Sequence, residues 1–201
     1  MLVLDHCSKK DKIYNFLCDF ARTNYWNRLR AKIELFPEYF VYVQDNFNLL
    51  GCVGLTPGDV RNPLLVETYF DFDLLNFLSE NNNNIKRSEF AEIGTLSIVK
   101  NNYRITIILV AGVILLAYKK QIKYVALTAH KTIQRLSVPL KINIINIGKP
   151  SLNKKDAFFK KNWEKYFRIN PDSIGFSINQ AITGSLEVLK KFESEGLICL
   201  I

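Results

Sequence analysis

The clearest pattern of apolar and polar positions runs from Ser88 to His130. Strand-forming residues from Phe90 to Val99 precede a polar break, an apolar helix predicted from about Tyr103 to Lys120, and a second strand from about Lys123 to Thr128. Two strands joined by a crossover helix form a βαβ-like unit, in which the first strand leads to a helix N-terminus. The unpaired N–H groups of that terminus suit phosphates.

The residues before this unit predict a helix followed by a pair of antiparallel strands. Apolar residues at helical spacing indicate a helix from Lys10 to about Ile33. The strand formers of Tyr39 to Gln44, a polar turn, and Leu49 to Leu55 predict a hairpin. Leu64 to Leu78 is interpreted as a turn followed by a helix, and Asn81 to Asn84 as a polar loop.

The residues after the unit predict further short elements. These are a helix over Lys131–Leu136, a strand over Ile142–Ile147, a basic loop or irregular helix over Gly148–Lys161, a last strand over Ser173–Ile182 and a helix over Ser185–Glu195. Antiparallel strands in the first part of the chain, followed by strands that alternate with helices, predict a mixed sheet with helices on both faces. No repeat or linker divides the chain, so we expect one domain over residues 1–201.

Composition and charge narrow the classes of function. The chain has 201 residues, is 48% hydrophobic, and carries a net charge of +8, which favours an anionic partner. No arginine-rich tract, zinc-finger spacing or aromatic ribonucleoprotein motif accompanies the charge, so nucleic acid is the less favoured partner. The four cysteines are scattered and there are only two histidines, which predicts reduced thiols in a cytoplasmic protein and no metal centre.

The most apolar run, Ile105 to Tyr118, is shorter than the roughly 20 residues of a spanning helix. It also lies between two predicted strands. We therefore predict a buried core helix and no transmembrane span. The first residues lack the order of a signal peptide, which again favours a cytoplasmic location.

Short motifs resemble those of the bacterial thermostable hemolysin family. They are Tyr69-Phe70-Asp71, the strand Glu92-Ile93-Gly94-Thr95-Leu96 with Arg87 upstream, and Trp163-Glu164-Lys165-Tyr166-Phe167 followed by Asn170-Pro171. That family is similar to the GNAT acyltransferase superfamily and, more distantly, to acyl-homoserine-lactone synthases. The resemblance implies an α/β fold whose mixed, mostly antiparallel central sheet contains a splayed parallel strand pair, with helices on both faces.

The resemblance also implies an acyl-thioester donor in the gap between the splayed strands. Backbone groups of Leu96, Ser97, Ile98 and Val99 would then contact the pantetheine arm. The turn of Asn101, Asn102, Tyr103 and Arg104 would bind the phosphate. This turn has no glycine where the superfamily's coenzyme A loop is glycine-rich, so its side chains would crowd a pyrophosphate. That difference leaves room for an acyl carrier protein, whose acidic surface suits a basic partner.

By the same resemblance, Glu92 would be the general base that takes a proton from an amine or amino-acid acceptor. A partly buried carboxylate suits this role because burial raises its pKa towards the working pH. Tyr69, Asp71 and Arg87 would line the acceptor or acyl side, with Thr128 and His130 as further candidates. The sequence therefore predicts an N-acyltransferase that uses acyl-CoA or an acyl carrier protein.

Other interpretations remain open from the sequence. Glu92 is also compatible with a buried structural carboxylate, and Trp163 and Tyr166 with packing aromatics. Thr95 and Glu164 stand where the family pattern has Asn and Gly. One alternative to an enzyme is therefore a catalytically inactive binding module. A basic membrane-active protein is another, because of the positive charge and the apolar run from Ile105 to Tyr118.

Overall fold

One eight-stranded sheet forms the centre of the protein in a computed structural model. The structure describes residues 1–46, 48–79, 85–100, 102–152, 155 and 157–200, so the predicted loop over Asn81–Asn84 lies outside the described residues. The strands are β1 (Leu2–Ser8), β2 (Tyr39–Asp45), β3 (Asn48–Pro57), β4 (Phe90–Ile98), β5 (Tyr124–Ala129), β6 (Ile145–Gly148), β7 (Asp172–Ser177) and β8 (Ile198–Leu200). Their order across the sheet is β6-β7-β5-β4-β3-β2-β1-β8.

The sheet is mixed and mostly antiparallel. Among the described residues, β4 pairs with β5 and β1 with β8 in parallel, and the other neighbours are antiparallel. The β4–β5 pairing covers only Phe90 to Glu92, opposite Tyr124 to Ala126, and beyond it the two strands separate. The expected fold class, a mixed sheet with a splayed parallel pair, is confirmed.

Helices cover both faces of the sheet. They are α1 (Tyr14–Leu29), α2 (Leu74–Ser79), α3 (Tyr103–Lys119), α4 (Lys131–Gln134), α5 (Ala157–Arg168) and α6 (Ile178–Ser194). The main core lies where α3 and α6 pack against one face, and α1 packs on the opposite face in a second cluster around Leu17, Phe40 and Cys52. A third cluster, around Phe90 and Leu78, joins α2 to the sheet.

The predicted hairpin, the βαβ-like unit and the helix of residues 10–33 are confirmed, with ends shifted by a few residues. The prediction of a strand continuing to Ile182 is wrong, because β7 ends at Ser177 and α6 begins at Ile178. Apolar positions alternate up to Ile178, but Ile178, Ala181, Ser185 and Leu189 are buried at helical spacing. The strands β1 and β8 were not predicted, and a regular helix, α5, occupies part of the predicted basic loop.

The apolar helix α3 is a core element, as predicted. Its residues from Ile105 to Ile114 are buried, and Gly112 allows close packing, because a Cβ there would lie 2.9 Å from Val41 Cγ1. No helix within the described ranges is both long enough and apolar enough to cross a membrane. The core of the protein therefore accounts for the most apolar run in the sequence.

The N-terminus of α3 is capped by a side chain. Asn102 Oδ1 accepts hydrogen bonds from the backbone N–H groups of Arg104 (3.0 Å) and Ile105 (3.3 Å). The hydroxyl of Thr106 donates to the backbone oxygen of Asn102 at 2.8 Å. Two of the helix's unpaired donors are thus satisfied by the protein itself.

We expect Asn102→Ala to lower the free energy of unfolding by about 1 kcal/mol, because it removes this cap. Asn102→Asp keeps an acceptor oxygen at the same place and should retain most of the stability. Urea denaturation followed by circular dichroism measures both variants. Equal stability of Asn102→Ala and the wild type would show that the cap contributes nothing.

Candidate active site

The separation of β4 from β5 coincides with a bulge in β4. Gly94 pairs with Gly54 and Ser97 with Cys52, so two residues of β4, Thr95 and Leu96, lie opposite one residue of β3. Thr95 has φ of 54°, a left-handed conformation that is strained for a β-branched residue. Bulges bend a strand and increase its twist, and this one begins three residues after Glu92, the last residue of β4 that pairs with β5.

An aromatic cavity of about 340 Å³ lies beside the bulge. Among the described residues, five aromatic side chains line it: Tyr25, Tyr69, Phe159, Trp163 and Tyr166. The Trp163 ring contacts the rings of Tyr25 and Tyr166 at centroid distances of 5.7 Å, and that of Phe159 at 5.8 Å. These edge-on and stacked contacts join α1 to α5 and form a wall of rings.

An apolar cavity of about 260 Å³ occupies the gap between β4 and β5. Among the described residues, its apolar lining comes from β3, β4, β5 and α3 and from the segments around α1, α4, α5 and β7: Leu29, Val53, Ile93, Leu96, Ile98, Val110, Leu127, Ala129, Ile133, Ile169 and Phe176. Six residues line both cavities: Tyr25, Ile93, Gly94, Thr95, Thr128 and Tyr166. The two cavities therefore meet at the bulge.

Glu92 lines the aromatic cavity at the point where the strands separate. Its Oε2 accepts a hydrogen bond from the backbone N–H of Leu65 at 2.8 Å. Burial raises the pKa of Glu92 to about 7, against the opposing effect of backbone hydrogen bonds from Val66 and Leu65 and of the nearby charge of Arg61. A carboxyl group with this pKa exists in both protonation states near neutral pH, which is the property of a general base.

Tyrosines surround this carboxyl group. Burial raises the pKa of Tyr69 and Tyr166, and the charge of Glu92 raises both further. The phenol of Tyr166 donates to the backbone oxygen of Thr128 at 2.7 Å, so it connects α5 to β5 across the gap. The phenols remain protonated at neutral pH and can act as hydrogen-bond donors.

Arg87 holds the loop that carries Leu65. Its guanidinium forms a two-pronged ion pair with Glu67, with Nη1–Oε1 at 2.5 Å and Nη2–Oε2 at 2.6 Å, and its Nε donates to Gly58 O at 2.8 Å. Glu67 also accepts from the backbone N–H of Leu64 at 2.7 Å. Arg87 does not line either cavity, and it supports Glu92 indirectly through this loop.

Cationic side chains also line the aromatic cavity. They are Lys32, Arg61 and Lys155. The Lys155 ammonium lies 5.0 Å from the ring centre of Tyr69 and 4.9 Å from that of Phe159, and it donates to the hydroxyl of Thr68. The cavity thus combines aromatic rings, three cations and the carboxyl groups of Glu92 and Glu34.

The structure divides the predicted donor-binding residues between two places. Leu96, Ser97 and Ile98 line the apolar cavity, and Val99 lies exposed at the end of β4, where its oxygen accepts from Arg28 Nη2 at 3.0 Å. Asn102 and Arg104 instead line a shallow groove with Met1 and Gly196. Tyr103 is 61% exposed, and Asn101 lies outside the described residues.

The residues predicted to line the acceptor or acyl side are also distributed over different parts of the structure. Tyr69 lines the aromatic cavity, Thr128 lines both cavities, and His130 lines the apolar one. Asp71 is exposed and belongs to neither lining. Tyr25, Arg61 and Phe159 were not predicted as site residues, and packing was one interpretation of Trp163 and Tyr166. The spacing of Phe159, Trp163 and Tyr166 at three and four residues was the available signal, because it places them on one side of a helix.

A family model described as thermostable hemolysin matches residues 7–182. The chain belongs to this family. The resemblance stated from the short motifs is therefore confirmed, and the family's pattern extends across the residues that form both cavities. No curated protein sequence matches the chain.

Solved structures of acyltransferases share the fold. The acyl-homoserine-lactone synthase LasI is 8% identical, with a TM-score of 0.61 over 92% of this chain and 94% of its own. BjaI, a CoA-dependent acyl-homoserine lactone synthase solved with SAM and isopentyl-CoA, is 11% identical, with a TM-score of 0.62 over 100% and 93%. FeeM, an N-acyl amino acid synthase from uncultured soil microbes, is 11% identical, with a TM-score of 0.55 over 94% and 99%.

The raised pKa of Glu92 predicts a pH-dependent effect of Glu92→Gln on stability. In the wild type, the unfolded carboxyl group has the ordinary glutamate pKa of 4.5, and burial raises the pKa of the folded one to about 7. Stability is therefore lost as the pH rises from about 4.5 through 7, because ionisation of the buried group is unfavourable. Glu92→Gln removes this loss, so its stability relative to the wild type should rise by on the order of 3 kcal/mol between pH 4.5 and pH 8.

Melting temperatures of both proteins across this pH range measure the effect. Glu193→Gln, at an exposed position of α6, makes the same chemical change and should show no such trend. A constant difference between Glu92→Gln and the wild type at all pH values would contradict the raised pKa.

Proposed function

We propose that this protein is an N-acyltransferase that moves an acyl group from a thioester to an amine acceptor, with Glu92 as the general base. The supporting observation is the position of Glu92, a carboxyl group with a raised pKa at the junction of an aromatic cavity and an apolar cavity. The shared fold of LasI, BjaI and FeeM, which are acyl-transferring synthases, agrees with this proposal.

In the proposed reaction, an ammonium group enters the aromatic cavity and Glu92 takes one of its protons. The neutral amine attacks the thioester carbonyl carbon beside Gly94, which lines both cavities. A C–N bond forms, the C–S bond breaks, and the thiolate takes up one of the two protons left on the nitrogen, while the amide product keeps the other, so that the products are an amide and a thiol. Unpaired backbone N–H groups near the bulge are suited to stabilise the negative charge on the carbonyl oxygen.

The aromatic cavity suits an acceptor that carries an anionic group besides its amine. Arg61, Lys32 and Lys155 supply positive charge, and the rings of Tyr25, Tyr69 and Trp163 supply flat apolar surface. An amino acid has this combination of an amine next to a carboxylate. The acceptor of FeeM is of this class, as its description as an N-acyl amino acid synthase states.

The apolar cavity suits the thioester donor. Its lining is mostly aliphatic, and one wall is the edge of β4 that has no strand partner beyond Glu92 within the described part of the chain. Both acyl-CoA and an acyl carrier protein supply the same phosphopantetheine thioester. Basic residues Arg28, His130 and Lys131 lie at or next to this cavity and would favour the acidic surface of a carrier protein.

Thermal stability with a donor panel tests the binding half of this proposal. The panel consists of acetyl-, butanoyl- and octanoyl-CoA and the corresponding acyl carrier proteins. A bound donor stabilises the native state, and a concentration of about 100 times the Kd corresponds to about 2.7 kcal/mol. We expect at least one donor to raise the melting temperature, and the two donor classes to differ.

Turnover with that donor and a set of amino acids tests the chemical half. Glu92→Gln should lower kcat by about 100-fold or more, and it should abolish the rise in kcat/KM through pH 7 that we expect of the wild type. Gly94→Val should also lower kcat, because a Cβ at Gly94 lies 3.9 Å from Glu92 Oε1 and its branches would separate the two cavities. Glu193→Gln serves as the control. The proposal fails if no donor binds, or if Glu92→Gln retains full activity.

A further inference from the structure

Ser97 has a buried hydroxyl group for which the protein supplies no partner. The residue is 3% exposed, lies on β4 and lines the apolar cavity. Its Oγ makes no hydrogen bond with any described residue. Its cross-strand neighbour is Cys52, which is fully buried.

This arrangement is unusual within the same molecule. Two other fully buried serines have satisfied hydroxyl groups: Ser173 Oγ lies 2.7 Å from Thr128 Oγ1, and Ser185 Oγ donates to Ala181 O at 2.9 Å. Leaving a buried hydroxyl without a partner costs about 1–3 kcal/mol. An exception of this kind in the wall of a cavity points to a ligand that completes the hydrogen bond.

The surroundings of Ser97 indicate what part of a ligand lies there. The cavity is otherwise largely aliphatic, but the adjoining edge of β4 presents unpaired backbone groups to the gap. An alkyl chain next to this wall would leave both the hydroxyl and the backbone groups unsatisfied. An amide group satisfies both, because it carries a donor and an acceptor and can align with a strand edge.

The distance from Gly94 to Ser97 along β4 indicates which of the two amides in the donor's pantetheine arm would lie beside Ser97. Gly94, where the reacting carbonyl is proposed to lie, is three residues before Ser97, a span of at most about 10 Å. An extended chain advances about 1.2 Å per bond. The thioester carbon and the nitrogen of the second amide of a pantetheine arm are eight bonds apart, which corresponds to about 10 Å.

We propose that Ser97 Oγ hydrogen-bonds the second amide of the donor's phosphopantetheine arm and thereby selects donors that carry the full arm. This inference rests on the proposed acyl transfer. It assigns a binding role to a side chain of β4, in addition to the backbone of that strand. The arm is common to coenzyme A and to carrier proteins, so the role applies to either source.

Binding of truncated donors tests this role. Acetyl, butanoyl and octanoyl thioesters of pantetheine contain both amides, whereas the same thioesters of N-acetylcysteamine contain only the first. Calorimetry gives the Kd of each for the wild type and for Ser97→Ala. We expect Ser97→Ala to reduce the preference for pantetheine over N-acetylcysteamine thioesters by about fivefold, because one hydrogen bond is lost. Acyl-CoA and acyl carrier protein should each lose the same factor.

Ser185→Ala is the matched control, since it removes a buried hydroxyl that belongs to neither cavity lining. It should leave the preference unchanged and lower the melting temperature. Ser97→Ala should not lower the melting temperature of the unliganded protein, because its hydroxyl has no protein partner to lose.

The outcomes separate this inference from the proposed function. If the wild type binds pantetheine thioesters and Ser97→Ala retains the full preference, the role of Ser97 is wrong and acyl transfer stands. A loss of affinity for both thioester types by the same factor would also overturn it, since the effect would not involve the second amide. If the wild type binds no thioester of either kind, the proposed function itself fails.

Discussion

The parting of β4 from β5 after Glu92 and Ala126 is the constraint on which the rest of the site depends. A sheet normally pairs its strands along their length, because buried backbone N–H and C=O groups need partners. Here the bulge at Thr95 and Leu96 turns β4 away, and the gap that results is lined with aliphatic side chains from both faces of the sheet. The fold thus keeps a stretch of unpaired strand edge in its interior, which is costly unless a ligand pairs with it.

The surroundings of Glu92 follow from the same parting. On one side of the junction is the apolar gap, and on the other is the wall of rings that α1 and α5 build around Trp163. Burial beside these rings raises the pKa of Glu92, while the backbone N–H of Leu65 holds the carboxyl group in place. The Arg87–Glu67 ion pair fixes the loop that supplies this N–H group. The candidate base is thus held by Leu65 at the wall of the aromatic cavity, and Arg87 and Glu67, which line neither cavity, support that contact.

Two features of the structure change how the donor site is understood. The cap of α3 already uses the N–H groups of Arg104 and Ile105, which a helix-terminus phosphate site would otherwise offer. The side chains of Asn102 and Arg104 line a groove away from the gap. The proposed contacts to the donor arm therefore concentrate on β4, where Ser97 and the unpaired strand edge lie, and less on the helix terminus.

The sequence alone determined the central βαβ-like unit, the hairpin and the family, because apolar periodicity and short motifs are local properties that can be identified directly in the amino-acid sequence. It also selected Glu92, since a carboxylate within an apolar strand is conspicuous. The tertiary structure decided what surrounds that carboxylate. Tyr25, Arg61 and Trp163 come from distant parts of the chain, and nothing in their local spacing indicates that they meet at one cavity. The strand β1 likewise forms by pairing with β2 and, across almost the whole sequence, with the short strand β8, so only the folded chain defines this side of the sheet.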